Sequence, residues 1–358
     1  MVSAIILAGG YATRLRPLSL TKPKALLPIL GRPLLDYILA NVKKAQPTNI
    51  YLSLRVMAEK IIERYKNDTS ITFIVENEPL GDAGPLKLIA EKYPLDDDVL
   101  VIYGDIYSEI DYQSLLEFHR KKGCDVTMVA TSVKDPRRYG VLYLNEDDIL
   151  LDIIEKPNTA SSNLINAGIY IFNKKTLNFV RGKSISRDFL PTLLREGQCI
   201  SVYKYNGIWG DIGMPQDYAK LNLELLVTKY PKGYIAENVK ISENVTLLPP
   251  FYIGYNSRIL NDSYIENSII GDNNEIGRGT YIKDTVLMNG TKVGDYSFIN
   301  GSIISDQCNI GKWNYIAPNS ILGDGVITSD GVLINQKTII LPFKELGEPV
   351  YSSGEIIL

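Results

Sequence analysis

The chain has 358 residues, more than the roughly 250 to 300 over which one core keeps growing, so two domains are expected. Its composition, 45% apolar and 22% charged, is that of an ordered globular protein and excludes a long disordered arm. The 38 basic and 41 acidic residues are mixed along the chain for a net charge of −3, so neither nucleic acid nor an anionic membrane is an expected partner.

The opening apolar run stops at Gly9-Gly10 and has no basic segment before it, so it reads as a buried strand and not as a signal peptide. Strands are predicted at about 2–7, 50–54, 71–75, 99–103 and 126–131, with helices at about 33–46, 57–66, 85–92 and 111–122 between them. This alternation predicts an α/β domain over residues 1–229, with a Rossmann-like, mostly parallel sheet covered by helices. Ligands of such sheets lie at the carboxyl ends of the strands. Nothing approaches the ~18 consecutive apolar residues of a membrane span. Cys124, Cys199 and Cys308 lack metal-ligand spacing and are expected as reduced thiols in a cytoplasmic protein. His119, the only histidine, lies on a predicted surface helix and is read as partly exposed and structural.

Beyond Pro231 the pattern changes. Ile253, Ile270, Leu287, Ile304 and Ile321 are spaced by 17, as are Ile259, Ile276, Val293, Ile310 and Ile327, and Ile265, Ile282, Ile299, Ile316 and Leu333. Three interleaved apolar series describe a three-sided parallel coil with one inward aliphatic per face, placed at residues 235–341 with a tail at 342–358. Gly254, Gly271, Gly277, Gly294 and Gly311 follow inward aliphatics and are read as corner residues. The pattern resembles the hexapeptide-repeat, left-handed parallel β-helix. Hexapeptide-repeat acyltransferases commonly use a histidine base; this segment has none, so that activity is not expected. Its Tyr252, Tyr255, Tyr264, Tyr281, Tyr296 and Trp313 include outward aromatics, which point to a homo-oligomer assembled through this domain.

The first strand leads into Leu7-Ala-Gly-Gly-Tyr-Ala-Thr-Arg-Leu-Arg-Pro-Leu18, and then Thr21-Lys-Pro-Lys-Ala-Leu-Leu-Pro28. A Gly-rich turn after a strand presents N–H groups to phosphate oxygens, and nearby Arg14 and Lys24 supply cations. Further blocks follow in order: Glu78-Pro-Leu-Gly-Asp-Ala-Gly-Pro-Leu86, Tyr103-Gly-Asp105, Tyr139-Gly-Val141, Ile154-Glu-Lys-Pro157, Asn166-Ala-Gly-Ile-Tyr170 and Trp209-Gly-Asp-Ile-Gly-Met-Pro-Gln-Asp-Tyr218. Together they resemble the nucleoside-diphosphate-sugar pyrophosphorylases, with signature LAGGxGTRLxPLT and then PKxLLP. The resemblance implies Mg²⁺-dependent attack of a sugar 1-phosphate on a nucleoside triphosphate, releasing pyrophosphate. It assigns the metal to Asp105 and Asp211, the triphosphate to Arg14 and Lys24, and the sugar phosphate to Lys156. The nucleotide falls to Leu7, Ala8, Gly9, Gly10, Glu76 and Gly81, and the sugar to Gly140, Glu155, Asn166 and Gly168.

Four positions depart from the pattern: Ala12 replaces Gly, Asp82 and Met214 replace Thr, and Ser19 replaces Thr conservatively. Ala12 adds a Cβ to a phosphate loop, and Asp82 adds negative charge that repels phosphate unless it faces the ribose or solvent. The segments 78–86, 162–168 and 184–191 resemble mannose-1-phosphate guanylyltransferases, and a carboxylate at Glu76 or Glu78 suits the two adjacent donors of guanine. A glucose 1-phosphate enzyme using UTP or dTTP, and a regulatory subunit that binds nucleotide sugar without turnover, remain open.

Overall fold

The computed structural model describes residues 1–358 and divides into two compact units, Met1–Tyr11 with Leu34–Asp211, and Ala12–Pro33 with Ile212–Leu358.

The first unit is built on a nine-stranded sheet. Strands β1 (Val2–Leu7), β2 (Asn49–Leu54), β3 (Ile71–Val75) and β4 (Asp98–Tyr103) are parallel, in the order β4-β1-β2-β3. Their runs of Val, Ile and Leu suit strands covered on both faces; Ala4, Ile5 and Ile6 of the central β1 are fully buried. Helices α1 (Leu34–Lys44), α2 (Ala58–Tyr65) and α3 (Gly84–Lys92) connect them, as the alternation predicts. β5 (Ile106–Ser108) and α4 (Tyr112–Lys122) follow. The Asp111 carboxylate caps α4 by accepting the Gln113 N–H at 3.0 Å, and Gly123 ends it at φ 65°.

The rest of the sheet is mixed. β6 (Val126–Ser132), β7 (Gly140–Leu144), β8 (Leu150–Glu155), β9 (Leu164–Asn173) and β10 (Ile200–Lys204) extend it, with β9 antiparallel to β4, β6 and β7 and α5 (Leu190–Arg195) between β9 and β10. β11 (Trp209–Asp211) pairs with β5 in a separate ribbon.

Two sequence expectations are corrected here. Cys124 and Cys199 are joined in a disulfide and only Cys308 is free. The reason is β6 pairing in parallel with β10, Val126 opposite Ile200, which brings the residues just before both strands to a Cα separation of 4.8 Å. His119 is buried at 4% exposure, with Nδ1 2.8 Å from Thr127 Oγ1, because α4 packs that face on β6.

The second unit is a curled, all-parallel coil consistent with the left-handed β-helix expected, together with α6 (Pro215–Lys229) and Ala12–Pro33. Ile253, Ile259 and Ile265 stack on Ile270, Ile276 and Ile282, and so on upward, all fully buried. The 17-residue spacing fails at the last coils. Ile304 stands opposite Leu322, and Ile316 opposite Ile334; Ile327 turns outward at 41% exposure while Thr328 takes the inner position. One extra residue in the corner Ala317-Pro318-Asn319-Ser320 shifts the register by one, and with period-two strands that flips every later side chain. The glycines after inward aliphatics do not supply positive φ; a Cβ on Gly294 would stand 2.6 Å from Gly311 and Lys312 backbone atoms, so close coil stacking demands glycine there. Residues 342–358 are no tail: Glu345–Leu346 and Ile356–Ile357 pair with Ile327–Thr328 and Ile339–Ile340. Of the six aromatics named for this domain, Tyr252 is not an outward one: it is buried and packs on Tyr230 and Tyr234.

Candidate active site

Because β4, β1, β2 and β3 point the same way, the residues just past their carboxyl ends come together. Gly9 and Gly10 follow β1, Arg55 follows β2, Glu76 follows β3 and Asp105 follows β4, and all line one cavity of about 310 Å³. Leu7, Tyr11, Gly81, Asp82 and Tyr103 complete much of its wall. Ala8 does not line it; its N–H donates to the Ser53 carbonyl at 2.8 Å and ties the end of β1 to β2.

Gly9 has a packing reason to be glycine, since a Cβ would stand 3.1 Å from Glu76 Oε1 and 3.4 Å from Arg55 Cβ. Glu76 is 8% exposed, and its Oε1 accepts the Ser53 hydroxyl at 2.6 Å. Burial pushes its carboxyl up, opposed by the bonds from the Ser53 hydroxyl and the Leu80 N–H. Glu78 is exposed and lies outside the cavity wall. Gly81 sits at φ 76° with the Lys183 carbonyl oxygen 2.0 Å from any Cβ, so the turn admits only glycine.

Asp82 is held by protein partners. Its carboxylate accepts the Tyr103 hydroxyl and, at 3.0 Å, the Ile185 N–H. Burial pushes its carboxyl up, opposed by these two bonds. Sequence reasoning missed Arg55, whose guanidinium lies 4.5 Å over the Tyr11 ring and donates to the Tyr11 hydroxyl at 2.6 Å. Its signal was available, since it is the residue immediately after a predicted strand. Tyr103 and Ser53 were also missed as partners of Asp82 and Glu76, and no local pattern marks them.

Asp105 and Asp211 are brought together by the β5–β11 ribbon, in which Asp211 stands opposite Ile106, the residue after Asp105. No cluster of three or more metal-ligating side chains exists anywhere in the chain. Two carboxylates suit Mg²⁺, a hard ion that takes oxygen donors, keeps several waters and needs few protein ligands.

The sugar-side residues gather around a bulge in β9 between Asn166 and Tyr170. Gly168 lies in it at φ 71°, where a Cβ would stand 2.4 Å from Ile106 Cδ1. Asn166 donates to Tyr170 Oη at 2.6 Å and Ser186 Oγ at 2.9 Å, and its Oδ1 accepts the Gly168 N–H at 3.0 Å. Gly140 stands opposite Glu155 in the β7–β8 ladder. Burial pushes the Glu155 carboxyl up, opposed by the Lys156 ammonium 3.7 Å away. Lys156 holds a left-handed backbone at φ 50°, a conformation that a non-glycine residue keeps only where its surroundings impose it. Trp209 Nε1 donates to the Ala167 carbonyl at 3.0 Å, tying β11 to the bulge.

Arg14 and Lys24 belong to the second unit. Arg14 is exposed in the single turn Thr13–Leu15, and Lys24 opens the turn Lys24–Leu26.

The "Nucleotidyl transferase" family model matches residues 3–227 and a "GMPPB C-terminal domain" model matches 247–357, so this chain belongs to the nucleotidyltransferase family. Within it the chain is a sugar-1-phosphate nucleotidyltransferase, whose substrates are a nucleoside triphosphate and a sugar phosphate. A Sulfolobus acidocaldarius protein provisionally named mannose-1-phosphate guanyltransferase is 62% identical over the whole of both chains. The Saccharomyces cerevisiae mannose-1-phosphate guanyltransferase is 35% identical over 69% of this chain and 72% of that one. Among solved structures, HddC of Yersinia pseudotuberculosis complexed with GMP-PN superposes with TM-score 0.54 at 32% identity, over 63% of this chain and all of that one. No helix is long and apolar enough to cross a membrane.

Proposed function

We propose that the chain transfers GMP from GTP to mannose 1-phosphate, making GDP-mannose and releasing pyrophosphate. The observation that carries this reading is the buried Glu76 carboxylate in the wall of the cavity at the strand ends. Guanine offers N1–H and N2–H₂ side by side, and a carboxylate with two bonds already accepted keeps acceptor capacity for both. Uracil and thymine offer one donor between two acceptors. The names of the Sulfolobus and yeast relatives agree.

The sugar phosphate is the nucleophile, so the protein supplies positioning and charge, not a covalent attacking group. In this reading the Gly9 and Gly10 N–H groups with Arg14 and Lys24 take the triphosphate, and Lys156 takes the sugar phosphate. Glu155 and the Gly140 and Gly168 backbones meet the sugar hydroxyls, with Asn166 orienting Gly168 by the bond described above. Asp105 and Asp211 would hold Mg²⁺, which when bound neutralises charge on the reacting phosphates. Pyrophosphate release measured over a matrix of nucleotides and sugar 1-phosphates tests the reading. GTP with mannose 1-phosphate is expected to give the highest kcat/KM; a higher value for UTP or dTTP with glucose 1-phosphate refutes it, and no turnover with any pair refutes an enzyme.

Assembly as a cytoplasmic homo-oligomer through the β-helix is part of the same proposal. Tyr264, Tyr281, Phe298 and Tyr315 stack along one outer face with centroids 4.7, 4.7 and 5.1 Å apart, and Tyr296 and Trp313 are exposed at 48% and 59%. Light scattering that finds a monomer at micromolar concentration removes this part.

A further inference from the structure

The Lys22 ammonium is clamped between two carboxylates of the β-helix, donating to Asp306 Oδ2 and lying 3.5 Å from Asp324 Oδ1. The three side chains are only 13%, 27% and 14% exposed, so solvent screens them far less than an ordinary surface pair. Beside them, Thr21 Oγ1 donates to Asp324 Oδ2 at 2.7 Å.

The clamp is preformed. Asp272, Asn289, Asp306 and Asp324 make a column, one residue per coil. The Asp272 N–H donates to Asn289 Oδ1 at 2.7 Å, the Asn289 N–H to Asp306 Oδ1 at 2.8 Å, and the Asp306 N–H to Asp324 Oδ1 at 3.2 Å. Neither carboxylate can turn without giving up a corner bond. Moreover, Asn289 does for its coil what Asp306 and Asp324 do for theirs, so the corner requires an oxygen and not a charge. The charges at 306 and 324 exceed what the coil needs, and Lys22 is where they are used.

Lys22 is separated from Lys24 only by Pro23, whose fixed backbone, φ −64° and ψ 145°, starts the turn that carries Lys24. The far end of the same stretch is also fastened. The Tyr218 hydroxyl donates to the Pro28 carbonyl at 2.6 Å, and the Leu30 N–H donates to Asn222 Oδ1 at 2.9 Å, both partners lying on α6.

We propose that the β-helix is a positioning part of the catalytic apparatus, with Asp306 and Asp324 acting through Lys22 to fix the turn that presents Lys24. This rests on the role assigned to Lys24 above. Lys22 is a positioning residue. A displacement of the order of 1 Å in a charge-neutralising group costs up to about a hundredfold in rate.

The test uses the full chain, comparing Lys22→Met, Lys22→Arg, the double variant Asp306→Asn/Asp324→Asn, the triple variant that adds Lys22→Met, and Lys24→Met. Lys22→Met is expected to lower kcat about tenfold or more with the sugar-phosphate KM nearly unchanged. The double variant should reproduce the loss, the triple should be no worse than either, and Lys22→Arg should recover most of it. Losses that multiply in the triple variant, or a double variant within about twofold of wild type, overturn the proposal. If Lys22→Met does not fold, the double variant and Lys22→Arg carry the same comparison. Amide exchange over residues 21–28 separates this from the reading of Lys24. Anchoring predicts exchange about tenfold faster in Lys22→Met or the double variant whatever Lys24→Met does to turnover, and unchanged exchange overturns it; wild-type turnover in Lys24→Met removes only the role of Lys24.

Discussion

The Ser19 hydroxyl donates to the Ala12 carbonyl at 2.7 Å, and Ala12 itself is held at φ 49°, ψ 39°. Left-handed backbone costs an alanine of the order of 1 kcal/mol, and buried Ser19 is one of the contacts that keep it there. Ala12→Gly removes that strain at the cost of a more flexible unfolded chain, so a net stabilisation of about 0.5 kcal/mol is expected. Ser19→Ala should cost about 1 kcal/mol by removing this bond, the carbonyl keeping only the Leu15 N–H at 3.0 Å. Urea midpoints check both, and a destabilised Ala12→Gly contradicts the account.

Asp105→Asn and Asp211→Asn each remove one of the two charges proposed for Mg²⁺. Turnover should fall at least about a thousandfold while the circular dichroism spectrum and melting temperature stay close to wild type. Near wild-type turnover at saturating Mg²⁺ in either variant rules out that assignment.

Glu76→Gln replaces an acceptor by a donor at the position proposed to face guanine. A mismatched buried pair costs on the order of 1 to 3 kcal/mol, so kcat/KM with GTP should drop roughly ten- to hundredfold more than with UTP. An equal drop with both nucleotides leaves Glu76 as a support for Gly9 and not a reader of the base.

Burial pushes the carboxyls of Glu76, Asp82 and Glu155 up. Each binds its proton more tightly in the folded state than in the unfolded one, so each opposes folding at neutral pH, and that opposition fades as pH falls toward the carboxylate range. Asp82→Asn removes one such group. Relative to wild type it should be more favourable at pH 7 than at pH 5, read from urea midpoints at the two values; a difference independent of pH would mean that Asp82 is ionised in the folded protein across that range and that burial does not hold its proton there.

The Cys124–Cys199 bond closes a loop of 75 residues. Denatured protein without reductant should titrate one thiol per chain, and three after reduction. Cys199→Ser is expected to lose about 2 to 4 kcal/mol of stability. Three thiols titrating without reductant would mean that the pair is not joined in solution.

What the sequence determined by itself was everything governed by local period and local chemistry. Short β-branched runs and amphipathic stretches located β1 to β4 and their helices, because burying the apolar surface of each element is a local demand. The recurring aliphatics announced the coil, and the ordered blocks, through their resemblance to a known family, implied the chemistry. The tertiary structure decided whatever depends on residues distant in sequence. Asp82 is held because Tyr103 and Ile185 reach it, Cys199 finds Cys124 because β6 and β10 pair in parallel, and one extra residue after Ile316 turns Ile327 outward. No local pattern sets Lys22 apart until the coil places Asp306 and Asp324 beside it, 284 residues away in the case of Asp306. Side-chain partners across such separations are selected by packing of whole elements, and no local pattern encodes them.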